Sequence, residues 1–263
     1  MITKEQLRDI KRLHEPKERA EKGLFLIEGV RLLEEAVKEG ISIDEALYTA
    51  RVEESTRGSL LLPSLKKRRI TLSQVSEKIM ESISGTENPQ GILAVARQLK
   101  WGFKDLIKNK GIIIIACGLQ DPGNLGTIIR SADAGECGGV ITTQNSVDIY
   151  NSKVIRATMG SIFRLPVMKF DDPIEAISAL KKEGYQIIAT TAHSRISYLD
   201  PDYMKPTAFL IGQEGSGLSE EVLKSADKKV FIPMKKGVES LNAAVSASIL
   251  IYEAFRQRLK ASH

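Results

Sequence analysis

Short apolar runs alternate with helix-length amphipathic segments throughout the second half of the chain. The runs cover residues 112–117, 139–143, 186–190, 208–211 and 230–232. Continuous apolar runs of this length are typical of parallel strands that are buried between two layers of helices. The pattern therefore predicts an α/β fold with a Rossmann-like, mostly parallel sheet. A final helix is predicted over residues 240–258, where apolar side chains recur at helical spacing.

The first hundred residues mix strand and helix patterns. Strands are predicted at residues 23–29, 46–49, 69–72 and 91–96, and helices at residues 3–11, from Val30 to a closing Gly40, and at residues 73–84. These elements predict a smaller α/β domain. We therefore divide the chain into a first domain of residues 1–97, a linker of residues 98–109 and a second domain of residues 110–263.

Composition excludes some classes of protein. The longest strongly apolar stretch, residues 111–117, is far below the roughly 18–20 residues that span a bilayer. The first residues lack the apolar core of a secretory signal, so we expect a cytoplasmic protein without a membrane segment. The net charge of +5 over 263 residues is compatible with a polyanionic partner but does not require one.

Cysteine and histidine usage gives no sign of a metal or a redox centre. The two cysteines, Cys117 and Cys137, lie in apolar or glycine-containing surroundings, and the three histidines are widely scattered. No group of residues has the spacing of metal ligands. We expect both cysteines to be reduced core residues and no catalytic metal to be present.

The first of three loops at the carboxyl ends of the predicted strands covers residues 118–127 and leads into a helix. Ligands of open α/β sheets bind at this edge. Asn124 is placed to cap the helix, and Arg130, almost two turns later, could reach back over the loop. From the spacing alone, Asn124 could equally be only a cap and Arg130 only a solvated helix residue.

The second and third loops follow later strands. Residues 209–218 run from a strand into a loop with three glycines, where the backbone can approach a ligand closely. Their order, G-x-x-G-x-G, is neither the dinucleotide fingerprint nor a phosphate loop, and Glu214 could be a ligand contact or a solvated carboxylate. The third loop, residues 231–242, enters the last helix, which Ser240 or Asn242 can cap.

Together the three loops resemble the motifs of the SpoU/TrmH family of RNA ribose methyltransferases, in the knotted SPOUT superfamily. The matching stretches are NLGTIIR at residues 124–130, IGQEGSG at 211–217, IPM at 232–234 and SLN at 240–242. Residues 11–14 (KRLH) and 26–35 (LIEGVRLLEE) also resemble the substrate-binding domain that often precedes the catalytic one. The ordered set of motifs makes the resemblance specific.

The resemblance implies a fold, a cofactor and an assembly. The second domain would contain a deep trefoil knot, and the first would be an RNA-recognition domain similar to ribosomal-protein L30-type folds. The cofactor would be S-adenosylmethionine. The family usually works as a homodimer with its active site at the subunit boundary. The residues implied to bind the cofactor are Thr190, Gly212, Gly217, Ile232 and Leu241.

The resemblance also implies catalytic roles. Arg130 would act at the ribose 2′-hydroxyl, and its helpers would be Asn124, Glu214, Ser240 and Asn242. A permanently charged guanidinium is a poor general base, so we favour an electrostatic role for Arg130. The alternatives are a base-directed methyltransferase of the knotted superfamily and a non-catalytic RNA-binding module. Ribosomal RNA is favoured over transfer RNA as substrate.

RNA affinity is expected to come from the first domain. Two groups of its basic residues are candidates: Lys66, Lys67, Arg68 and Arg69 form a run before a predicted strand, and Lys11, Arg12, Lys17, Arg19 and Lys22 lie near the start of the chain. The alternative is that all of these are solvated surface charges, balanced by Glu15, Glu18 and Glu21.

Overall fold

A computed structural model describes residues 2–261. The helices are α1 (Lys4–Arg12), α2 (Pro16–Lys22), α3 (Val30–Lys38), α4 (Ala50–Glu54), α5 (Thr56–Lys67), α6 (Glu77–Ile83), α7 (Phe103–Ile107), α8 (Pro122–Ala134), α9 (Ser152–Ala157), α10 (Pro173–Lys182), α11 (Glu220–Ser225) and α12 (Ala243–Ala261). The strands are β1 (Leu24–Glu28), β2 (Ile43–Tyr48), β3 (Thr71–Gln74), β4 (Ile92–Arg97), β5 (Ile112–Ala116), β6 (Gly139–Thr142), β7 (Val167–Lys169), β8 (Gln186–Thr190), β9 (Thr207–Ile211) and β10 (Lys228–Val230).

The first unit is built on a mixed sheet with the strand order β1-β4-β2-β3. Strand β4 is antiparallel to β1 and β2, whereas β2 and β3 are parallel. One face of the sheet carries α1 and α6, whose Ile10 and Met80 pack on Leu26 of β1. Because side chains alternate along a strand, the neighbouring Phe25 and Ile27 point to the opposite face, where they are also fully buried.

The first unit is discontinuous in sequence. It comprises the residues up to Lys100 together with Asp148–Phe163, a segment that the chain division above assigned to the second domain. Tyr150 packs on Phe25 with ring centroids 4.8 Å apart. Its hydroxyl accepts a hydrogen bond from the Leu99 amide at 2.8 Å. The division at residues 1–97 and 110–263 thus misses a return of the chain that local hydrophobic patterning does not indicate.

The second unit contains an all-parallel sheet with the strand order β10-β8-β9-β5-β6-β7. Every residue of β5 is buried, as expected for a central strand covered on both faces. The chain moves outward from β5 through β6 to β7 and then crosses to β8, on the other side of β9. Strands β5 and β9 are therefore neighbours at a switch point, where such sheets bind ligands.

Several predicted elements differ from the observed ones. The predicted linker contains α7, whose Leu106 is buried, and Asp105 accepts a hydrogen bond from the Gly102 amide at 2.7 Å to begin that helix. The helix predicted from residue 73 begins at Glu77, because residues up to Gln74 pair with β2 as strand β3. The trefoil knot stays a prediction. Within residues 2–261, no helix combines the length and apolarity needed to cross a membrane.

Candidate active site

A cavity of about 350 Å³ opens at the carboxyl ends of β8, β9 and β10. It is formed by the segments that follow these strands and by the entry to α12. The five residues predicted to bind a cofactor all line it: Thr190, Gly212, Gly217, Ile232 and Leu241. Glu214 and Ser240, which were predicted to assist catalysis, line it as well. His193 and Glu239 also contribute to the wall, and the sequence motifs did not indicate either of them.

The second loop is a tight turn that closes on itself. The Gly217 amide donates to the Gln213 carbonyl at 3.0 Å, and Gly217 has a φ of 64°, a conformation that favours glycine. A Cβ atom on Gly212 would overlap the carbonyl group of Gly217 and lie 2.7 Å from the Leu218 nitrogen. Glycine is therefore required at residue 212 by the loop's own packing.

Backbone polar groups are available around this cavity. Gly212, Ile232 and Leu241 make no backbone hydrogen bond with any other residue in the described part of the chain. Buried or half-buried apolar side chains, including Ile211 and Leu223, form other parts of the wall. The cavity therefore combines apolar walls with free peptide donors and acceptors, as small-molecule sites generally do.

Asn124 connects the three loops. Its amide Nδ2 donates to the Glu214 carboxylate, and its Oδ1 accepts from Asn242 Nδ2 at 2.9 Å. Asn242 Oδ1 meanwhile accepts from the Ala244 amide at 2.9 Å and so caps α12, as predicted. The prediction that Asn124 caps α8 is wrong. Asp121 is the cap, accepting from the Asn124 amide at 2.7 Å, which leaves the Asn124 side chain free for this network.

Arg130 lies on the exposed surface of α8 and does not line the cavity. Among the described residues it has no hydrogen-bond or ion-pair partner. Ser240 is likewise exposed, at the cavity wall. The single chain thus brings Asn124, Glu214 and Asn242 together but leaves Arg130 apart from them.

The first loop is held from the end of β6 by side chains that sequence reasoning missed. Thr143 Oγ1 accepts from the Gly118 amide at 3.1 Å, and Ser146 Oγ accepts from the Leu119 amide at 3.1 Å. Gly118 has a φ of 64° and lies against the side chain of Gln213. Thr143 and Ser146 follow a strand at the same sheet edge, and that position was the available signal.

The cysteines are chemically quiet. Burial raises the pKa of both the Cys117 and Cys137 thiols to about 12, so both are neutral at physiological pH. Within residues 2–261, no group of three or more His, Cys, Asp or Glu side chains is arranged to hold a metal ion.

Comparison with known proteins identifies a protein family for each part of the chain. Residues 111–252 match the SpoU rRNA Methylase family, and residues 4–94 match the MRM3-like substrate binding domain. The chain is 34% identical over 248 residues to the 23S rRNA (guanosine(2553)-2'-O)-methyltransferase RlmP of Bacillus subtilis, covering 94% of this chain and 95% of that protein. It is 32% identical over 247 residues to the 23S rRNA (uridine(2479)-2'-O)-methyltransferase of Streptomyces viridochromogenes, covering 92% and 85%.

Solved structures agree. The SpoU methyltransferase AviRb from Streptomyces viridochromogenes, in complex with the cofactor AdoMet, matches with a TM-score of 0.87 and 29% identity over 97% of this chain and 99% of that one. The chain therefore belongs to the SpoU rRNA Methylase family. It is an S-adenosylmethionine-dependent enzyme that methylates a ribose 2′-hydroxyl of RNA. The prediction of a ribose methyltransferase is thus confirmed over the base-directed and non-catalytic alternatives.

The cavity fits this cofactor. Its volume of about 350 Å³ falls within the range of pockets that enclose small ligands. The free backbone groups of Gly212, Ile232 and Leu241 can read an adenine edge, and the apolar wall can cover the ring. Glu214 and Glu239 line the cavity, and their carboxylates can attract the positive charges of the sulfonium and ammonium groups of the ligand.

Proposed function

We propose that this enzyme methylates a ribose in the large-subunit ribosomal RNA, using Arg130 together with the network of Asn124, Glu214 and Asn242. The observation that carries the proposal is the hydrogen bonding of Asn124 to both Glu214 and Asn242 at the cavity. It joins the three loops that carry the family motifs. The names of the relatives, which act on 23S rRNA, support the substrate. An enzyme with this substrate would work in the cytoplasm.

The chain's own groups have a limited chemical task. S-adenosylmethionine supplies a methyl group that its sulfonium already makes electrophilic. The guanidinium of Arg130 binds the phosphate next to the target ribose and stabilises the negative charge that develops on the 2′-oxygen. The proton leaves to a phosphate oxygen or to water. Asn124, Glu214, Ser240 and Asn242 hold the ribose in line for attack.

The enzyme acts as a homodimer in this proposal, with the active site at the subunit boundary. Two observations support it. Arg130 does not line the cavity of its own chain, so a second copy can bring the two together. Helix α12 also exposes large apolar side chains at a seven-residue spacing, which keeps them on one face: Val245, Tyr252 and Leu259 are 48%, 51% and 45% exposed.

The first unit selects the RNA in this proposal, consistent with its match to a substrate-binding domain. The expectation for Arg19 is wrong, because this side chain is buried and donates to Asp148 at 2.7 Å. Lys22 lies 3.6 Å from both Asp9 and Glu18, so its ammonium group is already paired with two carboxylates. Lys66 to Arg69 are all exposed and stay candidates for RNA contact.

The substitution Arg130→Ala tests this assignment. We expect the single-turnover rate of methyl transfer to ribosomal RNA to fall by about 10²-fold or more, since one charge-stabilising donor supplies rate enhancement of this order. Cofactor affinity measured by calorimetry should stay unchanged, because Arg130 is proposed to contact the phosphate and ribose of the RNA and not the cofactor. Lys182→Ala, an exposed charge on α10, is the control. A wild-type rate for Arg130→Ala contradicts the proposal.

A further inference from the structure

A second large cavity lies within the first unit and is lined by arginines. Its volume is about 1230 Å³, and its walls come from α3, from residues 51–57, from Pro89 and Gln90, and from the segment around α9. Four arginines line it: Arg31, Arg51, Arg57 and Arg156. We call this cavity the arginine groove. It lies outside both basic groups that the sequence indicated.

The guanidinium groups of the arginine groove are only weakly engaged. Arg31 is exposed and has no hydrogen-bond or ion-pair partner among residues 2–261. Arg57 is 56% exposed and lies 3.2 Å from Glu34. Arg51 is 53% exposed, lies 3.3 Å from Glu77 and also donates from Nη2 to the Pro89 carbonyl. Exposed pairs of this kind contribute little to stability, so both arginines can exchange a carboxylate for a phosphate at small cost.

Arg156 adds a donor at the wall. Its Nη1 is buried without a hydrogen-bond partner, although Glu28 lies 4.0 Å away. Glu28 cannot turn towards it freely, because its carboxylate already accepts hydrogen bonds from Ser84 Oγ at 2.5 Å and Thr86 Oγ1 at 2.6 Å. A buried donor left unpaired is costly, so a ligand oxygen at this position would be favoured.

The groove also contains groups that suit an unpaired base. Glu34, Glu35 and Gln90 line it and can accept hydrogen bonds from base N–H groups. Met159 is 49% exposed and offers an apolar surface beside the arginines. Guanidinium planes can stack on bases as well as bind phosphates. A purely phosphate-binding surface would not include three carboxylates, Glu28 among them, so the mixed lining favours a nucleotide over a simple anion.

We propose that the arginine groove binds an unpaired segment of the RNA substrate, with its phosphates on Arg31, Arg51 and Arg57 and a base against Met159. This inference rests on the proposed function, since it assumes an RNA substrate. Single-stranded segments are favoured because their splayed bases can enter a cavity, whereas the bases of a duplex are stacked and paired. The groove then selects RNA that contains an unpaired segment.

The test compares two double variants of the full-length protein. Arg31→Gln/Arg57→Gln removes one unpaired and one paired arginine from the groove. Lys4→Gln/Arg8→Gln removes the same charge from α1, none of whose residues lines the groove and where Arg8 lies 3.6 Å from Glu5. The probe is a labelled, unstructured 12-nucleotide RNA, with the same sequence in a duplex for comparison. Affinity is measured by fluorescence anisotropy over a range of salt concentrations.

We expect the wild type to prefer the single strand and the groove variant to bind it about tenfold more weakly. Two lost phosphate contacts should reduce the slope of log affinity against log salt by about 1.4. The control variant should keep the slope. Equal losses of RNA affinity in both variants would overturn the proposal for the groove, because they would indicate only an effect of general surface charge. So would an unchanged slope in the groove variant, or no preference of the wild type for the single strand.

Methylation of 23S rRNA separates this proposal from the proposed function. If the groove binds RNA, the groove variant should raise KM with little change in kcat. If the wild type methylates the RNA and the groove variant has unchanged KM and affinity, the proposal for the groove fails and the proposed function stands. A wild type that does not methylate ribosomal RNA contradicts the proposed substrate.

Discussion

The side chain of Asn124 can serve the active site because a neighbouring residue caps the helix. Asp121 accepts the hydrogen bond from the Asn124 amide, so the Asn124 side chain is available to Glu214 and Asn242. Sequence reasoning chose the wrong cap because Asp and Asn are equally good caps and both occur in this turn. The motif indicated Asn124 independently of the cap, since its spacing does not depend on where the helix begins, and the catalytic role of Asn124 stays a prediction.

The family resemblance placed Gly212 in the cofactor site, and the structure shows that the packing of the loop itself also requires glycine there. The glycines of this loop were expected to let the backbone approach a ligand closely, but a side chain at residue 212 would first collide with Gly217 in the same loop. We therefore expect Gly212→Ala, and more strongly Gly212→Val, to abolish cofactor binding and also to lower stability by roughly 1–3 kcal/mol. Thermal unfolding and calorimetric titration measure the two effects.

Gly215→Ala is the matched control for this prediction. Gly215 lies in the same loop, but an added Cβ would meet no atom within 4 Å. We expect its stability to stay within about 0.5 kcal/mol of the wild type and its cofactor affinity to be nearly unchanged. If Gly212→Ala is as stable as Gly215→Ala, the loop does not require the close approach that we describe.

Among the elements, the central strands were the most predictable. Strands β5, β6, β8 and β9 lie within two residues of the predicted runs, because a buried parallel strand is apolar on both faces. Strand β7, by contrast, was missed because only three residues pair and Lys169 among them is exposed. Helix α5 was also missed, since Gly58 and Pro63 within it weaken the helical pattern. Helix α4 was missed because it is only five residues long.

The cavity residues were predictable as a set, but the network between them was not. The loop positions followed from strand order, and all five residues predicted to bind the cofactor line one cavity. The contact of Asn124 with Glu214, which are 90 residues apart, depends on β5 and β9 being neighbours. No local pattern indicates that pairing, because the chain crosses over between them.

Helix α12 anchors the segment before β9 through hydrogen bonds and also exposes an apolar face. Its last turns hold the chain before β9: Gln257 accepts from the Tyr203 amide at 2.9 Å, and Arg258 donates to the Tyr203 carbonyl at 2.9 Å. Burial lowers the pKa of Arg258. These polar contacts leave Val245 and Tyr252 on the other side, available to a second copy.

We expect Val245→Glu/Tyr252→Glu to dissociate the dimer, because burying two carboxylates in an apolar interface is unfavourable. The mass measured by light scattering should fall from two chains to one at micromolar concentration, and methylation should fall with it if Arg130 acts across the interface. Leu60→Glu on α5, where the side chain is 72% exposed, is the control and should leave the mass unchanged. A wild type that is monomeric under the same conditions contradicts the proposed assembly.

At the scale of the whole molecule, the return of the chain into the first unit is the feature with the widest consequences. Val154, Ile155 and Phe163 are buried, and Tyr150 packs on Phe25 of β1. Deleting residues 1–97 therefore removes the strand on which Tyr150 packs. A deletion cannot isolate the contribution of the first unit to RNA binding, which is why point variants are used for the arginine groove.

The same feature predicts that the first hundred residues do not form a complete domain by themselves. Without residues 148–163, Phe25 loses its aromatic partner, and Arg19 becomes a buried charge without Asp148, which lies 2.5 Å from it in the native chain. We expect a fragment of residues 1–100 to unfold without a cooperative transition and to bind a hydrophobic dye.

A fused fragment makes this prediction specific. The Tyr150 hydroxyl contacts the Leu99 amide at 2.8 Å, so a short glycine-serine linker can join residue 100 to residue 148 without distorting either end. Residues 1–100 fused in this way to residues 148–163 should unfold cooperatively, as followed by circular dichroism and chemical denaturation. Tyr150→Ala in the fusion should remove most of the gain, because it deletes both the ring contact and the hydrogen bond. If residues 1–100 alone match the fusion in stability, the returning segment is not part of the first unit's core, and the unit is an independent module after all.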